Sequence, residues 1–69
     1  MGEELRPAPD VIKAARIAAG LTQTKAAALL YKTCRIWQMW EAGDSPMCPA
    51  LWELFLIKSN AIAQWKTPL

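Results

Sequence analysis

Four stretches of the chain carry apolar side chains at helical spacing, and most are bracketed by residues that start or stop a helix. Asp10 can accept from the free amides of the following turn, so it is the expected N-cap of a helix over Val11–Ala19. Gly20 is placed to end that helix in the left-handed conformation. Thr22 caps a second helix, Gln23–Tyr31, in which Lys25 stands where a capping box would have Glu or Gln. Thr33 caps a third, Cys34–Ala42, closed by Gly43. Asp44-Ser45-Pro46 reads as a turn, and Pro49 suits the first position of a fourth helix over about 49–65. The β-branched residues are scattered and never alternate, so no strand is expected. The expected fold is all-α: a bundle of four helices, or five if the last stretch breaks, over residues 10–69. Residues 1–9 form a polar, proline-containing arm that is expected to be mobile.

The third helix is two-sided. At about 100° per residue from Cys34, the side chains of Ile36, Trp37 and Trp40 fall between ~200° and ~300°. Cys34, Arg35, Gln38, Met39 and Ala42 fall between ~0° and ~140°. A large apolar side therefore backs a small or polar one that holds an arginine and a glutamine. These are the two residue types that make bidentate contacts to guanine and adenine at major-groove base edges. An amphipathic helix whose polar side meets only water has the same pattern.

The fourth helix is apolar nearly all round, with Leu51, Trp52, Leu54, Phe55, Leu56 and Ile57 interrupted by Glu53. Such a helix needs more than one partner surface. One face can cover the other helices. The remainder, assigned to Phe55, Ile62 and Trp65, is expected to meet a second copy of the chain, because 69 residues can scarcely enclose it.

Charge is distributed unevenly. Between Asp10 and Glu41 every charged residue is basic: Lys13, Arg16, Lys25, Lys32 and Arg35. The other three cations face all six acids, which is how the net charge comes to only +2. A basic block inside an ordered segment is an electrostatic footprint for a polyanion.

Composition removes whole classes of function. Apolar residues at 54% and charged residues at 20% exclude intrinsic disorder. No apolar run approaches the ~18 residues of a membrane span. Glu3, Glu4, Pro7 and Pro9 stand where a signal peptide needs a basic start and an apolar stretch, so a cytoplasmic location is expected. Gly2 resembles a myristoylation start, but Arg6 replaces the Ser or Thr of that signal. With no histidine and only Cys34 and Cys48, the chain lacks the usual general base and any zinc spacing. No enzymatic activity, metal, cofactor or small-molecule ligand is expected.

From Arg16 to Gly43 the chain resembles the Cro/C1-type (XRE) helix-turn-helix family. The residues that carry the likeness are Arg16, Leu21, Thr22, Gln23, Ala27, Leu30, Trp40, Glu41 and Gly43, in the pattern Arg-x4-Leu-Thr-Gln-x3-Ala-x2-Leu-x9-Trp-Glu-x-Gly without a gap. The match covers about 28 of 69 residues. Arg35–Glu41 followed by Ala50–Phe55 is further similar to small phage and mobile-element repressors encoded beside anti-CRISPR genes, which repress their own operon.

The resemblance implies a transcriptional repressor that binds an inverted-repeat operator in double-stranded DNA as a homodimer. It implies base-reading positions at Cys34, Arg35, Gln38 and Met39. It implies a phosphate contact for Gln23 and a capping residue near the DNA backbone for Thr33, with Lys25 and Lys32 as further backbone contacts. Arg16 and Glu41 match a structural pair that ties the first helix to the end of the third; a DNA contact is the alternative for Arg16. The same DNA-binding half also occurs in antitoxins of toxin–antitoxin pairs, which is the alternative function. A protein-interaction module with a degenerate helix-turn-helix is a further one.

Two departures bear on the turn. Tyr31 stands where many members have glycine, and bulky residues seldom take positive φ, so a differently built turn with a longer second helix is expected. Lys32 replaces a usual apolar residue and is expected to face outward. Cys34, a weak hydrogen-bond partner, either packs on a thymine methyl or marks close approach, and Met39 shares that ambiguity.

Overall fold

Local rules set where each helix begins. In a computed structural model that describes residues 6–65, with side chains through Asn60, the Thr22 hydroxyl accepts from the Lys25 amide at 3.1 Å and Thr33 from Ile36 at 3.3 Å. Each hydroxyl satisfies one of the amides that a helix start leaves free. The elements are α1 (Pro9–Ala18), α2 (Gln23–Leu29), α3 (Cys34–Ala42) and α4 (Pro49–Trp65), with no strand among the described residues. None of these helices is long and apolar enough to cross a membrane.

Two boundaries differ from expectation. Asp10 is not the N-cap of α1: Ala8 holds that position, no side chain caps the helix, and Pro9 opens it. Proline has φ already near the helical value and no amide to satisfy, so it suits the first helical position. Asp10 lies within the first turn, where its charge still favours the helix dipole. The stretch before the helix therefore ends at Ala8, one residue short of the expected 1–9. Residues 1–5 lie outside the described residues.

The second difference is the end of α2. It stops at Leu29, and Tyr31 takes the left-handed conformation (φ 59°) that was expected to be avoided. Gly20 and Gly43 end α1 and α3 with φ of 74° and 82°. All three ends share one hydrogen-bond pattern. At Gly20 the amides of Gly20 and Leu21 donate back to Ile17 and Arg16; at Tyr31 those of Tyr31 and Lys32 donate to Ala28 and Ala27. At Gly43 the amides of Gly43 and Asp44 donate to Trp40 and Met39. Glycine takes this conformation freely, whereas any side chain costs about 1–2 kcal/mol there.

The core lies where α3 crosses the others. Ile12, Ala26, Ala27, Leu30, Trp37, Trp40, Met47 and Phe55 are buried together. Trp37 packs edge-on against Trp40 at 5.4 Å between ring centres and tilted against Phe55 at 4.9 Å. Such pairs add about 0.5–1.5 kcal/mol beyond the burial of their area. Ala26 and Ala27 have no accessible surface left, so α2 approaches α3 closely through side chains too small to hold it off.

One sequence assignment is corrected here. Phe55 is 0% exposed within one chain, seated against Trp37 and Trp52, and has no surface to offer a second copy. The face of α4 that stays open is instead Leu54, Leu56 and Ile57, the last 66% exposed. The side chains of Ile62 and Trp65 lie outside the described residues.

Candidate nucleic-acid interface

The side of α3 away from the tryptophans is open. Arg35, Gln38 and Ala42 are exposed, and Cys34 and Met39 are half-buried. The four base-reading positions read from the resemblance thus share one outward side, while Trp37 and Trp40 anchor the opposite side in the core. Cys34 and Cys48 are free thiols.

A buried carboxylate fixes this helix to the rest. Glu41 Oε2 accepts from Arg16 Nε at 2.6 Å and from the Trp37 indole N–H. Its Oε1 accepts from Arg16 Nη2 at 3.3 Å and from Gln23 Nε2 at 3.1 Å. The guanidinium also donates through Nη1 to the Leu21 carbonyl at 3.0 Å. Arg16 from α1, Gln23 from the start of α2, and Trp37 and Glu41 from α3 therefore meet at one point. The ion-pair side chains are only 14% and 7% exposed, so a charge on either needs the other. Burial pushes the Glu41 carboxyl up, but the hydrogen bonds from Arg16, Trp37 and Gln23 and the charge of Arg16 outweigh it and hold the group below its usual value. Arg16 and Glu41 are thus paired with each other, joining α1 to the end of α3.

Gln23 sits differently from a free phosphate contact. It is half-buried, its amide nitrogen turned to Glu41, and its oxygen accepts from Gln38 Nε2 at 3.4 Å. One amide hydrogen remains for another acceptor. The consequence is a chain of contacts from Arg16 through Glu41 and Gln23 to Gln38, which leads from the core to the open side of α3. No protein-family model matches the chain, and no curated protein is significantly similar to it.

The cations are spread over α1, α2, the α2–α3 turn and α3. Of the five basic residues between Asp10 and Glu41, Arg16 alone is in an ion pair among the described residues. Lys13, Lys25, Lys32 and Arg35 are exposed. Lys25 lies in the first turn of α2 and Lys32 just past its end, and Thr33 is exposed at the N-cap of α3. Lys32 points outward, as expected from its replacement of an apolar residue.

Two contacts at this site have little or no signature in the family pattern. Trp37 and Glu41 are four residues apart on one helix, so their pairing was within reach of helical spacing. Lys58 was not. From α4 its ammonium donates to the Leu29 carbonyl at 2.7 Å and stands 4.7 Å from the centre of the Tyr31 ring. Nothing local in the sequence joins positions so far apart.

Proposed function

We propose that this chain is a sequence-specific DNA-binding repressor that inserts α3 into the major groove. The observation that carries the reading is the open side of α3, where Arg35 and Gln38 project from a helix anchored by Trp37 and Trp40. Arg35 is the main base reader, through O6 and N7 of a guanine, and Gln38 reads a second base with its amide oriented by Gln23. Cys34 and Met39 supply close apolar contact. Lys25, Lys32, Thr33 and the remaining N–H of Gln23 fix register on phosphates. The likeness of Arg35–Glu41 and Ala50–Phe55 to repressors encoded beside anti-CRISPR genes supports autoregulation of such an operon by promoter occlusion.

The test is binding of substituted proteins to a duplex selected from random sequence, and to versions with each guanine replaced. Arg35→Ala should cost about 1–3 kcal/mol and relax preference at one base pair per half-site. Lys25→Ala should weaken binding to every duplex alike. An equal loss for all duplexes with Arg35→Ala would make Arg35 a phosphate clamp and leave the reading to Gln38. No loss at all would mean that α3 does not enter the groove.

The reading includes a homodimer on an inverted repeat, with half-sites one helical turn or a multiple apart. The open Leu54, Leu56 and Ile57 side of α4 supports a second copy as its cover. Sedimentation at micromolar concentration should give the mass of two chains, and Ile57→Asp should give one. A folded monomer of the parent chain at that concentration contradicts the dimer.

A further inference from the structure

Three helices end here with the same backbone pattern, but only two of them end on glycine. At Gly20 the left-handed residue has open space around the position of a Cβ, so its φ alone calls for glycine there. Tyr31 adopts that conformation against the clash between its Cβ and its own carbonyl, so something must offset the cost. Burial does not: Tyr31 is 88% exposed.

What does reach it is Lys58. Its ammonium donates to the carbonyl of Leu29, the last residue of α2 and one of the carbonyls a helix end leaves without an intrahelical donor. The same charge lies over the Tyr31 ring, where the negative face of the π-system attracts it. A cation at the C-terminus of α2 is also favoured by the helix dipole. The bond to Leu29 and the dipole hold the ammonium at the end of α2, and from there its attraction to the Tyr31 ring depends on the chain turning as it does. Lys58 and Leu29 are half-buried, so their contact is screened less than one at an open surface, whereas the ring is open to water.

We infer that Lys58 is a positioning residue for the α2–α3 turn: reaching from α4, it holds Tyr31 in the left-handed conformation and so sets where α3 starts and points. Two residues separate Tyr31 from the first residue of α3, and Thr33 between them caps that helix, so a turn that relaxes carries Arg35 with it. The consequence for binding rests on the proposed DNA reading; the consequence for the turn does not.

The test separates the two. Amide exchange of the free protein is compared for the parent, Lys58→Met, Lys58→Arg, Tyr31→Gly and the double variant Lys58→Met/Tyr31→Gly, each then titrated with the duplex selected by the parent. In Lys58→Met the Tyr31 and Lys32 amides should exchange about tenfold faster, and duplex affinity should fall by a similar factor. The amides of Gly20 and Gly43 should keep their rates. Lys58→Arg should stay near the parent, since a guanidinium can also donate and lie on the ring. Tyr31→Gly should stay near it as well. In the double variant, glycine should restore both turn protection and affinity, because it takes the conformation unaided.

Unchanged turn exchange in Lys58→Met overturns the inference. So does a double variant that glycine fails to rescue, since Lys58 would then only stabilise α4. Loss of affinity in Tyr31→Gly with the turn intact overturns it too, by making Tyr31 itself a contact. A parent chain that selects no duplex contradicts the DNA reading, and the exchange rates then decide the role of Lys58 alone.

Discussion

Arg16→Ala should lower the free energy of unfolding by about 3 kcal/mol, near the bottom of the ~3–5 kcal/mol expected when one partner of a buried ion pair is removed. The lower end applies because the Trp37 indole and Gln23 amide still donate to Glu41 after the guanidinium is gone. For a chain of this length, whose whole stability is on the order of 3–10 kcal/mol, that loss removes about a third of it or more. Thermal unfolding of the two proteins measures it.

Acid gives the same pair a second signature. With the parent, Glu41 is held below its usual value, so its contribution is complete above about 4.5 and is lost as the pH falls through the folded-state value beneath that. In Arg16→Ala, burial is left without its main opponent, the folded-state value rises, and acid instead relieves a stranded charge. The stability gap between the two proteins should therefore narrow as the pH drops below 5. A gap independent of pH would contradict the role assigned to Glu41. Equal melting temperatures with loss of DNA binding would make Arg16 a contact residue rather than scaffold.

Much of the fold was legible because it follows from short-range rules. The hydroxyls of Thr22 and Thr33, the glycines at 20 and 43, and the helical spacing of Trp37 and Trp40 each act within about one turn of chain. The open side of α3 follows from the same spacing, so Arg35 and Gln38 were placed without knowledge of any neighbour.

What escaped depends on contacts made across the chain. An all-round apolar α4 has no polar stripe to say which face turns inward, and Phe55 was assigned outward although it seats on Trp37. Met47 stands in a loop, where periodicity says nothing, yet it belongs to the core. The steric rule against positive φ favoured a longer α2, but it takes no account of a lysine on α4. Gln23 was read as a surface donor because its pairing with Glu41 depends on how α2 lies against α3. At the candidate site, the residue types and their common side were therefore readable. The contacts that orient them were not.

The central claim, proposed above, is that the open side of α3 and the exposed cations of the chain grip a DNA duplex. Lys13, Lys25 and Lys32 are exposed, and the proposed homodimer would present them twice, which puts the phosphate contacts at the lower end of about 6–10 per duplex. Every cation that meets a phosphate releases condensed counterions, so affinity becomes a steep function of salt. The most direct measurement is a salt titration of binding to the selected duplex, with a scrambled duplex alongside. Between 50 and 200 mM salt, affinity should fall by about 10³ to 10⁵, with the selected duplex bound more tightly throughout. A flat titration, or equal affinity for the two duplexes, would contradict the account.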